Sequence, residues 1–133
     1  SSTARNANNK KYIAYVFSSV KGYSLVGSYV GNSNSNGAFI FCGFRPAWVM
    51  VKRSTGADSW LIMDNKRSTF NPVGNTLAAN SSGSENADTG GIPMDFVANG
   101  FKCRGTGADF NENGQTYIFL AFAESPFKYA RAR

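Results

Sequence analysis

Apolar positions along the chain come in short bursts separated by Gly-, Asn- and Ser-rich punctuation, and this pattern predicts strands rather than helices. Lys11 to Phe17 is dense in Tyr, Ile, Val and Phe, and Gly22 closes it. Tyr23 to Val30 reads as a second strand. The Asn-rich stretch 31–37 ends on Asn36-Gly37, a strong hairpin signal. Ala38 to Phe44, Trp48 to Arg53 and Trp60 to Asp64 read as three further strands. Arg45-Pro46 interrupts the ladder, because Pro lacks the backbone donor. The unbroken apolar run in Trp60 to Met63 predicts cover on both faces.

Residues 65–93 are mostly Asn, Ser, Gly, Asp and Thr, with Phe70, Val73, Leu77 and Ile92 as anchors, so they read as a long polar loop. Met94 to Gly100 is expected to be a turn or a single helical turn ending on Asn99-Gly100. Phe101 to Arg104 and Tyr117 to Ala123 complete the strands, with a turn region over 105–114. Such an order predicts an all-β antiparallel β-sandwich, jelly-roll or lectin-like, with long polar loops.

The chain also repeats itself. Asn6, Asn8, Tyr12, Ile13 and Phe17 recur as Asn111, Asn113, Tyr117, Ile118 and Phe122, each 105 positions on. Beyond Phe17 the register slips by one, aligning Tyr23 with Tyr129. Residues 1–24 therefore read as the closing strand of a repeated module, a copy of 106–130. Residues 25–133 read as the sandwich module, the whole making one compact domain. The two copies should occupy equivalent strand positions, within one sheet or across a subunit boundary where the front copy joins neighbours.

The composition fits a folded domain: 133 residues, 42% hydrophobic and 14% aromatic. No apolar run approaches a membrane span, and no basic-then-apolar leader pattern is visible. The net charge of +6 favours acidic partners. It is spread over scattered pairs such as Lys10-Lys11, Lys52-Arg53 and Lys66-Arg67, which points away from a nucleic-acid stripe. Nucleic acid is not an expected partner.

The absence of histidine removes Ser-His and Cys-His nucleophile pairs. Asp64, Asp95, Asp109 and Glu124 have no neighbours diagnostic of a glycosidase pair, so no catalytic residues and no cofactor are assigned and the chain reads as non-enzymatic. Asp109, Asn111 and Asn113 before Gly114 match the first half of a calcium loop. The position that needs a bidentate Glu is Leu120, which favours an Asn-rich turn and no metal. Cys42 and Cys103 both fall in strands, where they are either a disulfide or two small buried residues.

Glycan recognition uses aromatic faces together with amide and guanidinium groups on loops. Trp48 and Trp60, helped by Tyr29, are the candidate stacking platform, or else core residues of their strands. Arg67, Asn71, Asn75, Asn80 and Asp88 are the candidate polar contacts in the long loop.

The stretches Tyr12 to Phe17, Gly27 to Asn32, Phe41 to Arg53, Asp95 to Lys102 and Tyr117 to Tyr129 resemble a β-rich domain of bacteriophage and prophage tail-fibre and tail proteins. The resemblance runs over roughly 11–131 and rests on strands and turns, with no catalytic motif. It implies a virion appendage and an extracellular, host-facing location. It also implies self-association, a trimer first, beside other virion proteins. The expected function is a structural and adhesion segment that contacts anionic host-surface glycans. The alternative is a capsid- or tail-decorating protein, or a filament subunit. Cys42 and Cys103 depart from the family pattern.

Overall fold

The computed structural model describes residues 7–85 and 94–127. Among the described residues there are eight strands and one helical turn, in two antiparallel sheets packed face to face. Strands β1 (Ser24–Val30), β3 (Pro46–Arg53), β4 (Leu61–Asp64), β5 (Leu77–Ala78) and β8 (Thr116–Ala123) form the first sheet, in the order β1-β8-β3-β4-β5. Strands β2 (Phe39–Phe41), β6 (Met94–Val97) and β7 (Gly100–Cys103) form the second, in the order β2-β7-β6. Helix α1 (Ala108–Asn111) is a single turn before β8. The all-β antiparallel sandwich expected from the strand pattern is the architecture observed.

Side-chain alternation explains the core. Tyr29, Val49, Val51, Leu61, Met63, Tyr117, Phe119 and Ala121 point inward from the large sheet. They meet Ile40, Met94, Phe96, Phe101 and Cys103 from the small one, with Phe110 at one end. Tyr29 stacks on Tyr117 at 5.2 Å and meets Phe101 edge-on at 6.1 Å, so aromatic packing ties the two sheets together.

The C-terminal strand is the centre of the large sheet. β8 pairs with β1 on one side, Tyr29 opposite Tyr117, and with β3 on the other, Val49 opposite Ala121. Pro46 is buried and opens β3 beside a register shift before Trp48, so it marks a strand start without breaking the strand.

Three expectations change. Residues 11–17 have strand composition but form no strand, and among the described residues their backbone meets no sheet. Met94 to Val97 is strand β6 and not a turn, because Met94 and Phe96 alternate inward and only their neighbours are open. The loop ending on Asn36-Gly37 makes no hairpin, since β1 and β2 lie in different sheets. Its Asn side chains accept from the backbone two residues on, Asn32 from Asn34 at 3.1 Å and Asn34 from Asn36 at 2.8 Å, which turns the chain across the sandwich.

Of the two readings of Cys42 and Cys103, small buried residues is the one observed, both being free and buried. Cys42 stands beside Asn99 and Cys103 beside Ala38, at opposite ends of the β2–β7 pair. Four residues of strand separate them, roughly 13 Å at about 3.3 Å per residue, well beyond disulfide reach.

Candidate functional site

The outer face of the large sheet carries the most unusual surface. Strands covered on one side normally present polar residues to water. Here Val26, Leu120, Met50, Ile62 and Leu77 stand opposite one another in a single row across all five strands. Phe122 and Trp48 form a second pair in the next row, 5.6 Å apart and tilted. The cause is local: β3, β4 and β8 are apolar at consecutive positions, so both of their faces are apolar.

Above this face lies a groove of about 560 Å³, floored by Val26, Met50, Ile118 and Leu120 and edged by Trp60. Its remaining wall is the N-terminal segment, through Tyr15 and Phe17. Phe17 meets Phe122, its own counterpart in the repeat, at 6.1 Å edge-on. The turn that follows is pinned to β1. Val20 and Ser24 exchange backbone bonds at 2.9 Å, and the Ser19 hydroxyl accepts from the Val26 N–H at 3.1 Å.

The tryptophans proposed as a stacking platform both belong to this outer surface and not to the core. Trp48 is half-buried against Phe122, and Trp60 is exposed at the groove edge. Tyr29 is elsewhere: it is buried, and its hydroxyl donates to the Phe110 carbonyl at 2.6 Å.

The polar candidates of the long loop are brackets. Arg67 binds the Asp64 carboxylate at 2.5 Å, Glu85 at 3.1 Å and the Ile62 carbonyl at 3.1 Å. Asn71 donates to the Phe96 carbonyl at 2.9 Å and accepts from the Phe96 N–H at 3.0 Å, standing in for a neighbouring strand. Asn75 bridges Ser68, Arg67 and Glu85, and Asn80 accepts from the Trp60 N–H at 2.9 Å. Asp88 lies outside the described residues. Burial pushes the Asp64 carboxyl up, but the N–H groups of Arg67 and Lys66 with the Arg67 guanidinium outweigh it and hold Asp64 below its ordinary range.

The calcium alternative fails at Asn111. That side chain is fully buried and fully used, accepting from the Asn32 N–H at 3.0 Å and donating to Gly105 at 2.8 Å and Asn34 at 3.1 Å. Asp109 lies two residues earlier in α1, and burial together with nearby Asp58 raises its carboxyl. Among the described residues, no three His, Cys, Asp or Glu side chains gather as a metal cluster.

Among the described residues the arginines pair with acids: Arg45 with Glu124, Arg53 with Glu112, Arg67 with Asp64 and Arg104 with Asp95. Among the described residues, no helix is long and apolar enough to cross a membrane. The sequence signal for the outer face was present in Trp48 to Val51 and Trp60 to Met63, where apolar residues run on without alternation.

The chain belongs to the family described as "Domain of unknown function (DUF7483)", whose profile matches residues 1–126. The match begins with the front copy of the repeat. No curated protein and no solved structure matches the chain.

Proposed function

We propose that this DUF7483 domain is a non-enzymatic structural and adhesion module of a virion appendage, of the bacteriophage tail-fibre kind its sequence resembles, and that it works through association with further copies of itself. The observation that carries the reading is the apolar row Val26, Leu120, Met50, Ile62 and Leu77 across an outer sheet face. A contiguous apolar patch of this kind marks an interaction surface. Most soluble oligomers are homo-oligomers, and a trimer is the first expectation for a fibre. The same face would serve a decorating protein or a filament subunit.

Light scattering on the purified chain over a hundredfold concentration range tests the reading. A mass that is a multiple of 14.3 kDa is expected. A monomer at every concentration overturns it.

Adhesion to an anionic glycan is the second part of the reading. It is supported by Trp48 and Trp60 at the outer surface together with the +6 charge. Because Arg67, Asn71, Asn75 and Asn80 are occupied in holding the loop, Trp60, at the edge of the outer face beside the apolar row, is the better candidate contact. A glycan array with the native assembly, repeated with Trp60→Ala, tests it. Absence of any glycan signal removes adhesion and leaves the structural role.

A further inference from the structure

The front copy of the repeat keeps the local geometry of the closing strand without its sheet. Tyr12 accepts from the Ala7 N–H and Tyr117 from the Glu112 N–H, both at 2.9 Å and both five residues back. The turns beneath them close alike, Lys10 onto Ala7 at 3.4 Å and Gln115 onto Glu112 at 3.2 Å. Each places its third residue at positive φ, Asn9 at 58° and Gly114 at 73°. Residues 12–17 are thus launched from the same turn, latched by the same tyrosine, as 117–122.

What differs is cover. β8 is apolar on both sides, with Tyr117, Phe119 and Ala121 against the second sheet and Ile118, Leu120 and Phe122 on the outer face. The front arm repeats that two-sided pattern: Tyr12, Ala14 and Val16 on one side, Ile13, Tyr15 and Phe17 on the other. One side is turned to the groove on its own sheet through Tyr15 and Phe17. The opposite side is open, with Val16 89% and Tyr12 50% exposed, and on the groove side Ile13 and Tyr15 keep most of their surface free as well. An extended segment apolar on both sides is the pattern of a strand covered on both sides.

We propose that two copies of the chain associate outer face to outer face, with the front arms enclosed between the two large sheets. The proposal rests on the self-association reading and names its surface, with a two-fold pair as the unit in place of a trimer. Val16 and Tyr12 of each arm would meet the outer row of the other copy, and the remaining groove would be filled by the second arm. The contact is isologous, because the same arm and the same face serve both partners. Its size is adequate. Five strands about 4.8 Å apart and up to eight residues long give a flat face of roughly 500 Å², and the arm raises this toward the ~800 Å² per partner of a stable interface.

The test uses the full chain with p-benzoylphenylalanine at position 16, mixed with an equal amount of unmodified, nitrogen-15-labelled chain and irradiated. The expected product is a mixed-isotope cross-linked dimer, joined at peptides from β1, β3, β4 or β8. Cross-links confined to the modified chain itself, or landing on the β2-β7-β6 sheet of the other copy, overturn the proposal. Val16→Asp provides a second readout, since a residue 89% exposed can accept a charge without loss of fold. A dissociation constant raised at least tenfold by sedimentation, with an unchanged circular dichroism spectrum, is expected. An unchanged constant overturns the proposal. If the wild-type chain is monomeric throughout, the self-association reading falls as well. If it remains oligomeric while position 16 links elsewhere, only this interface is wrong.

Discussion

Tyr12 and Tyr117 stand 105 residues apart and make the same hydrogen bond, each hydroxyl accepting the backbone N–H five residues earlier at 2.9 Å. Tyr117 is fully buried and its hydroxyl also donates to Ala108 at 2.5 Å, whereas Tyr12 is half exposed. The same motif therefore does two jobs. Removing the Tyr117 hydroxyl leaves the Glu112 N–H and the Ala108 carbonyl without their partner, at a cost of about 1–3 kcal/mol. Tyr117→Phe is expected to lower stability by that amount in urea unfolding. Tyr12→Phe is expected to change it by less than about 0.5 kcal/mol.

The cysteines give a redox prediction. Burial pushes the Cys42 thiol up to about 12, and that of Cys103 to about 12, so neither is a thiolate near neutral pH. Reductant is expected to leave the melting temperature unchanged. Both thiols should react with an aromatic disulfide reagent only after denaturant is added. Rapid labelling of the native protein would show that Cys42 or Cys103 is accessible after all.

How far the sequence reveals these features depends on how local their causes are. β1, β3, β4, β7 and β8 follow from apolar bursts between Gly and Asn turns, and the opposite sheet covers the inner side chain of each. β6 was hidden because its strand character is completed from outside, by the Asn71 side chain bonding Phe96 from 25 residues away. The front arm misleads in the opposite direction: Tyr12 to Phe17 has every strand preference and no strand beside it. The internal roles of the polar loop residues are hidden for a related reason. Arg67, Asn71 and Asn75 look like free loop groups in a sequence, and only the fold shows that the loop consumes them internally.

Asn111 makes a further prediction at the point where β1, α1 and the 31–37 loop converge. Its carboxamide makes three bonds in a fully buried position, so Asn111→Ala leaves several backbone groups unpaired at once. A loss of about 3 kcal/mol is expected, since each orphaned group costs about 1–3 kcal/mol and the site can relax in part. Calcium should not rescue the variant and should not stabilise the wild type, because the Asn111 oxygen already faces the Asn32 amide. A calcium-dependent rise in melting temperature of the wild type would count against this arrangement.

Asp64 and Asp109 set opposite pH trends. Asp64 is held below its ordinary range: burial raises it, and the Arg67 and Lys66 N–H groups and the Arg67 guanidinium more than reverse this. Its contribution is therefore complete above the unfolded carboxyl value, about 3.9, and is lost as pH falls through the lower folded value. Asp109 is raised by burial first and by Asp58 next, against weaker opposition from Arg53 and Lys52. Its contribution is complete below the unfolded value and is lost as pH rises through the folded one. Asp64→Asn should accordingly destabilise the protein at pH 7 and flatten the acid limb of its stability curve. Asp109→Asn should leave the protein as stable as wild type, or more so, at pH 7, with the advantage vanishing toward pH 3. Urea midpoints between pH 3 and pH 8 measure both. Destabilisation by Asp109→Asn at pH 7 would mean that its carboxylate is held by Arg53 and Lys52 more firmly than it is repelled by Asp58.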